Sequence, residues 1–186
     1  MRDLELREAV HKKIIKNHDD GHTLVIDEFS IHLGASRADI AVINGLMHGY
    51  ELKSAKDNLL RLPSQVKYYS SVMDKVTLVV DKSHLDEACK IIPEWWGIKV
   101  ADVGPRGGIS ISHYRKEKLN KTIEPLMLAQ LLWRDECLSI LAEFDMLNGN
   151  KSKPRFELWG ILSSNIPTDI LRSRVKVALK ERHNWR

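Results

Sequence analysis

Apolar positions along this chain repeat first with the period of a helix, then of strands, and finally of helices again. Over residues 2–17, Leu4, Leu6, Val10, Ile14 and Ile15 make an approximate helical stripe, and Gly21 ends the connection after it. Residues 23–31 (TLVIDEFSI) are apolar and β-branched and predict a strand, broken at Gly34. Residues 37–43 (RADIAVI) and 47–53 (MHGYELK) predict two more strands around the turn signal Asn44-Gly45. A turn over 57–62 precedes a helix reaching about residue 73, with Pro63 suited to its first turn. The run VTLVV at 76–80 predicts a strand buried on both faces.

Ser83 is the expected cap of a helix carrying Leu85, Ala88, Ile91 and Ile92, which Pro93 ends. Residues 98–103 and 109–114 predict two further strands around the loop Gly104-Pro105-Arg106-Gly107-Gly108. Beyond them the pattern is helical. Residues 124–147 hold Leu128, Leu131, Leu132, Leu138, Leu141 and Phe144 at helical spacing. After the polar linker NGNKSKP, a short helix is expected over 156–162. A last helix, preceded by Pro167 and capped by Thr168, is expected to run to about residue 182. The expected fold class is therefore α/β, a central mixed β-sheet flanked by helices with a helical C-terminal extension. Residues 1–115 form the expected core and residues 116–186 the extension, packed on it.

Composition changes this picture little. The chain has 186 residues, 43% hydrophobic and 29% charged, which suits one ordinary globular domain. It lacks any run of about 18 apolar residues, so no membrane partner is expected. Its charged first residues lack the apolar stretch of a signal peptide, so a cytoplasmic location is expected. Cys89 and Cys137 lie far apart and read as small buried hydrophobes. Charge is more informative. The net charge is +4, while residues 151–186 carry nine Lys/Arg and three Asp/Glu, or +6. Such a basic segment suits either a polyanion or a solvated helix face.

Candidate chemistry lies on the second and third strands. With a three-residue connection Asn44-Gly45-Leu46, Asp39 faces Glu51 and Arg37 faces Lys53. Opposed residues share a face, and so do residues two apart on one strand. Asp39, Glu51 and Lys53 then converge on one surface, while Ala38, Ile40, Val42, Tyr50 and Leu52 form the core face, with His48 as its polar exception. A two-residue turn would separate Asp39 from Glu51. Two carboxylates on one surface suit Mg²⁺, which takes oxygen ligands and keeps several waters. The metal activates water against a phosphate, and a neighbouring lysine stabilises the charge that develops. The competing reading is a solvated strand face with a Glu/Lys pair.

The segment RADIAVINGLMHGYELKSAKDNLLRLPSQVKYYSSVMDKVTLVV resembles the core of a PD-(D/E)XK nuclease, and in particular a small bacterial and phage family within that superfamily. The likeness spans residues 25–103, and the segment LLWRDECLSIL and the basic last helix also fit. It implies a restriction-endonuclease-like fold and an Mg²⁺-dependent DNA nuclease in which Mn²⁺ substitutes. It also implies Asp39, Glu51 and the Leu52 carbonyl as metal ligands, and Lys53 as the catalytic lysine. Ala38 stands where the superfamily's name has proline. A further acidic residue is expected: Glu28, beside the Asp39 strand, is preferred over Glu8 on the first helix. Gln65 is expected near the metal, against the alternative of a solvated polar side chain. Arg37 and Arg61 are candidates for phosphate contact, with a carboxylate partner the alternative for Arg37. Arg106 at a loop tip, and Arg172, Lys176 and Lys180 as a stripe on the last helix, are candidates for DNA backbone contact.

The eight histidines show no metal-binding spacing and are read as structural. Trp95-Trp96 is read as a plug at a helix-to-strand junction, Tyr68 and Tyr69 as core or boundary, and Trp133 and Trp159 as core of the helical part. Alternatives to a nuclease are a nuclease-fold module that binds DNA or protein with weak or no catalysis, and a helical interaction protein. A homodimer is open by analogy with nucleases that cut two strands.

Overall fold

The apolar runs assemble into one six-stranded mixed sheet in the order β1-β2-β3-β4-β5-β6. The computed structural model describes residues 1–18 and 22–183; the break expected at Gly21 lies outside them. The strands are β1 (Leu24–Ile31), β2 (Ser36–Asn44), β3 (Leu46–Lys53), β4 (Lys75–Asp81), β5 (Gly97–Val103) and β6 (Ile109–Arg115). Neighbours β3–β4 and β4–β5 are parallel; the other pairs are antiparallel. The seven α-helices among the described residues are α1 (Asp3–Lys13), α2 (Leu62–Val72), α3 (Leu85–Ile91), α4 (Pro125–Ala129), α5 (Arg134–Glu143), α6 (Arg155–Asn165) and α7 (Thr168–Glu181).

Each parallel pair needs a crossover, and α2 and α3 supply them. Crossovers of one hand place both helices on the same face of the sheet. Tyr69 and Val72 of α2 and Ala88 of α3 share one core there with Ile43, Leu78 and Ile98 of the sheet. Leu128, Cys137, Leu158, Leu171 and Val175 of α4–α7 join that same core, so the extension packs on the sheet's α2 side. Helix α1 covers the other face, with Leu6 and Val10 on Ile40, Val42, Tyr50, Leu52 and Val79. Val76, Leu78, Val79 and Val80 are fully buried, as their unbroken apolar run predicts.

The β2–β3 hairpin has the expected odd-length connection. Asn44 pairs with Leu46 around Gly45, whose φ of 68° is left-handed, and the register runs on to Ile40–Tyr50. The ladder ends there, short of the expected Asp39–Glu51 and Arg37–Lys53 pairs. Next door, Asp27 pairs with Ile40 and Phe29 with Ala38, leaving Glu28 between them with φ 55°. This left-handed residue reverses the alternation. Val25 faces α1, but Phe29 and Ile31 face the α2 side. Ala38 follows its partner Phe29 to that side, so the expected core face loses Ala38 and keeps Ile40, Val42, Tyr50 and Leu52.

Several ends differ from expectation for local reasons. Helix α1 stops at Lys13 and continues as a 3₁₀ turn over Ile15–His18. Asp81, not Ser83, caps the turn before α3, its carboxylate accepting from Ser83 N–H at 3.0 Å. Pro167, not Thr168, holds the cap position of α7. The single helical stretch expected over 124–147 is two helices. Glu136 accepts from Trp133 N–H at 2.7 Å, restarting the helix as α5. Trp133 is left 41% exposed, which overturns its expected core placement; Trp159 is buried as expected.

Candidate active site

The end of the β2–β3 hairpin, the first turn of α2 and the start of α1 enclose a cleft of about 580 Å³. Asp39, Glu51, Leu52, Lys53, Glu28, Arg37, Arg61 and Gln65 all line it, together with Asp3 and Arg7. Glu8 does not; it is exposed and lies 3.9 Å from Lys12. Of the two acidic candidates, the cleft therefore holds Glu28.

Glu51 is 1% exposed and Lys53 4%. A solvated strand face, the competing reading of the E-x-K triplet, does not describe them. Lys53 Nζ donates to Glu51 Oε1 at 2.5 Å, and Gln65 Nε2 donates to the same oxygen at 2.6 Å. Tyr69 hydroxyl closely contacts Glu51 Oε2 and also lies 2.8 Å from the Arg37 carbonyl. A hydroxyl has one proton, so it serves these two acceptors one at a time. Desolvation and the Glu51 charge push the Tyr69 phenol far above its ordinary range. Burying an ion pair costs desolvation that its own attraction repays only in good geometry, so such a pair is weak support for stability.

Asp39 sits across from this cluster. Its Oδ2 accepts from Leu52 N–H at 2.7 Å, where the ladder has ended, and its Oδ1 accepts from Arg7 at 3.1 Å. The same guanidinium donates to Glu28 at 2.7 Å and to the Asp39 carbonyl at 3.0 Å. Arg37 lies 3.6 Å from Glu28. Arg7 therefore ties α1 to both edges of the irregularity in β1 and β2. Burial and the neighbouring Glu51 charge raise the Asp39 carboxyl from 3.8 to about 7, against the opposing pull of Leu52 N–H, Arg7 and Lys53. A divalent cation would relieve this crowding of negative charge.

Among the described residues, no three His, Cys, Asp or Glu side chains are placed to share a metal ion. Mg²⁺ asks for less, because it uses one or two carboxylates and fills its octahedron with waters and phosphate oxygens. Asp39 and Glu51 provide two carboxylates in one cleft. Gln65 Oε1 is a buried acceptor without a hydrogen-bond partner among the described residues, beside Glu51. These donors fit Mg²⁺ in type and in number.

Arg7 and Tyr69 were missed by sequence reasoning as parts of this site. Arg7 looks like a surface residue of an amphipathic helix, and its only signal is spacing from Asp3. Tyr69 is fully buried, as its core reading implies, yet its hydroxyl serves Glu51. The outlying basic candidates do not gather here. Arg106 lies in the loop between β5 and β6, outside the cleft. The expected basic stripe on α7 is split: Arg172 and Lys176 engage Asp74, while Lys180 is exposed.

The family described as Bacteriophage P4 protein cII matches residues 3–186. The chain belongs to that family. Protein cII of Enterobacteria phage P4 is 22% identical over 184 residues, covering 99% of this chain and 69% of its own length. A solved structure, the SPO1766 protein of unknown function from Silicibacter pomeroyi, aligns with a TM-score of 0.44 at 16% identity, covering 80% of this chain and 92% of its own. Within the cII family match lie the whole hairpin, the Asp39–Glu51–Lys53 cluster, and the C-terminal helices. No helix of the described residues is long and apolar enough to cross a membrane.

Proposed function

We propose that this chain is an Mg²⁺-dependent DNA nuclease, with Asp39, Glu51 and Lys53 at its catalytic centre. The observation that carries the reading is the buried Glu51–Lys53 pair opening, beside Asp39, into one cleft. A buried ion pair gains little stability, whereas a cleft with a crowded carboxylate pair and a lysine suits phosphodiester hydrolysis.

Asp39, Glu51 and the Leu52 carbonyl would hold the metal, with Gln65 Oε1 a further acceptor nearby. Bound there, Mg²⁺ supplies acidified water and neutralises charge on the phosphate. The chain's own groups do the rest. Lys53 stands at Glu51 Oε1, where its ammonium orients the attacking water and stabilises charge on the phosphorane-like transition state. Gln65 and Tyr69 fix the Glu51 carboxylate, and Arg7 holds Asp39 and Glu28 in place. Arg37 and Arg61, at the rim, suit phosphate contact. Mn²⁺ would substitute for Mg²⁺.

One observation favours a second reading, a nuclease-fold module that binds DNA with weak or no catalysis. Both oxygens of Asp39 and both of Glu51 are already engaged by protein donors. The deciding experiment incubates labelled single-stranded, duplex and branched DNA with the protein in Mg²⁺, Mn²⁺ or EDTA. Metal-dependent cleavage lost in Asp39→Ala and Lys53→Ala is the expected result. DNA binding without cleavage in all three proteins would reject the enzyme and favour the module.

A further inference from the structure

A second cleft, of about 640 Å³, adjoins the first and shares Glu28 and Arg37 with it. It runs between strand β1 and the C-terminal helices. We infer that this second cleft is a binding track for single-stranded DNA, with Trp133 as its base-stacking platform and Arg37 and Arg155 as its backbone contacts. The inference rests on reading the Asp39/Glu51 cleft as the place where DNA is cut, and it names the form of strand that reaches that place.

Three features of the cleft support a single strand. First, Trp133, the residue that caps α5, is exposed and packs against a fixed cation. The Arg182 guanidinium lies 4.1 Å from its ring centroid and is fixed in turn by Glu136 at 2.6 and 2.8 Å and by the Leu131 carbonyl at 3.0 Å. A preordered aromatic face is what unstacked bases bind, whichever base is presented. A closed duplex offers no such face except at its ends.

Second, three arginines, Arg37, Arg155 and Arg182, line the cleft against two half-exposed carboxylates, Asp27 and Glu28. Its two carboxylates are engaged, Asp27 by His11 at 2.9 Å and Glu28 by Arg7 at 2.7 Å. Arg155 is exposed above the Trp159 ring at 4.8 Å, and Arg37 is 60% exposed at the junction with the first cleft. Third, Gln130 Oε1 is a buried acceptor lining the cleft with no hydrogen-bond partner among the described residues. Base edges carry the N–H donors that would fill it. Between the two clefts stands the turn His32–Gly34. All three of its residues have positive φ, and Leu33, 63% exposed, is its apolar tip. Such a conformation is uncommon for leucine and is found at functional sites.

The test is fluorescence anisotropy in EDTA, where binding is read without cleavage, using labelled oligothymidylate and a hairpin duplex at one fixed salt concentration. Wild type is expected to bind the single strand more tightly than the duplex. Trp133→Ala is expected to weaken single-strand binding at least about fivefold, the lower end of one stacked base. Duplex binding should change less than twofold, and Trp133→Phe should recover most of the loss. Arg155→Ala, at an exposed position safe for folding, should weaken the single strand and shallow its salt dependence. Equal binding of both DNA forms, no binding of either, or an unaffected Trp133→Ala would overturn the inference. Because the assay contains no metal, a chain that binds in this way but never cleaves would reject the nuclease reading alone.

Discussion

Two buried carboxylates in this molecule have opposite surroundings. Asp74 and Glu51 are each 1% exposed, and each has cationic company. Asp74 accepts from Met47 N–H at 2.7 Å, pairs closely with Arg172 and lies 3.7 Å from Lys176. Its partners come from β3 and from α7, nearly a hundred residues away, so it clamps the last helix to the sheet. It lines neither of the two clefts described above. Glu51 is held by neighbours on its own strand and on α2, faces the crowded Asp39, and opens into a cleft. The same chemical group is thus an anchor in one place and a candidate ligand in the other. The difference lies in the company each keeps: Asp74 meets two cations of a distant helix, whereas Glu51 shares a cleft with Asp39.

Breaking the comparison at the proposed catalytic end has the largest expected effect. Lys53→Ala should lower the cleavage rate about a hundredfold or more while leaving DNA binding in EDTA nearly intact. Asp74→Ala should leave cleavage per folded molecule unchanged. If rates measured on folded protein fall equally in both variants, the two carboxylates do not differ as described.

Stability should respond the other way. Asp74→Ala removes the partner of two cations and of Met47 N–H, and is expected to cost about 3 kcal/mol in urea unfolding. Glu51→Gln keeps the shape of its side chain and an acceptor for Lys53 Nζ, and leaves Asp39 to balance that ammonium, so it should cost less than half as much. A larger loss in Glu51→Gln would make Glu51 the structural member of the pair.

Mg²⁺ sharpens the contrast. At ten times its dissociation constant it should stabilise wild type by about 1.4 kcal/mol through mass action. The same gain should appear in Asp74→Ala and vanish in Asp39→Ala. Thermal unfolding with Mg²⁺ titrated against EDTA reads this directly, and a gain retained by Asp39→Ala would remove Asp39 from the ligand set.

A separate test reads pH dependence without metal. The Asp39 carboxyl is raised from 3.8 to about 7 in the folded chain. Its contribution to stability is therefore full below about pH 4 and is lost as pH rises through about 7. Asp39→Asn should flatten that part of the stability profile in EDTA. An unchanged profile would show that Asp39 ionises normally despite Glu51.

Much of the candidate cluster was legible because strand geometry is local and periodic. Asp39, Glu51 and Lys53 follow from a period of two and an odd-length turn, and the register Ile40–Tyr50 agrees with that reading. Gln65 lay on the helix that the pattern predicted. The expected Asp39–Glu51 ladder pair is absent, because the ladder ends at Ile40–Tyr50. Glu28 adopts a left-handed conformation that reverses β1 at that point, and no glycine marks it. Likewise Arg172 and Lys176 formed a regular basic stripe, and nothing near them in the chain pointed to Asp74.

The strands, the helical segments and the hairpin that groups Asp39, Glu51 and Lys53 were thus determined by the chain's own periodicities and turn signals, since each depends on residues near one another in the chain. Tertiary structure alone decided that Glu51 and Lys53 are buried, that Arg7 and Tyr69 complete their surroundings, that Trp133 faces outward, and that two α7 cations are spent on Asp74. Burial and charge pairing depend on which distant surfaces meet. That meeting is settled by the packing of whole faces, and no local pattern of residues encodes it.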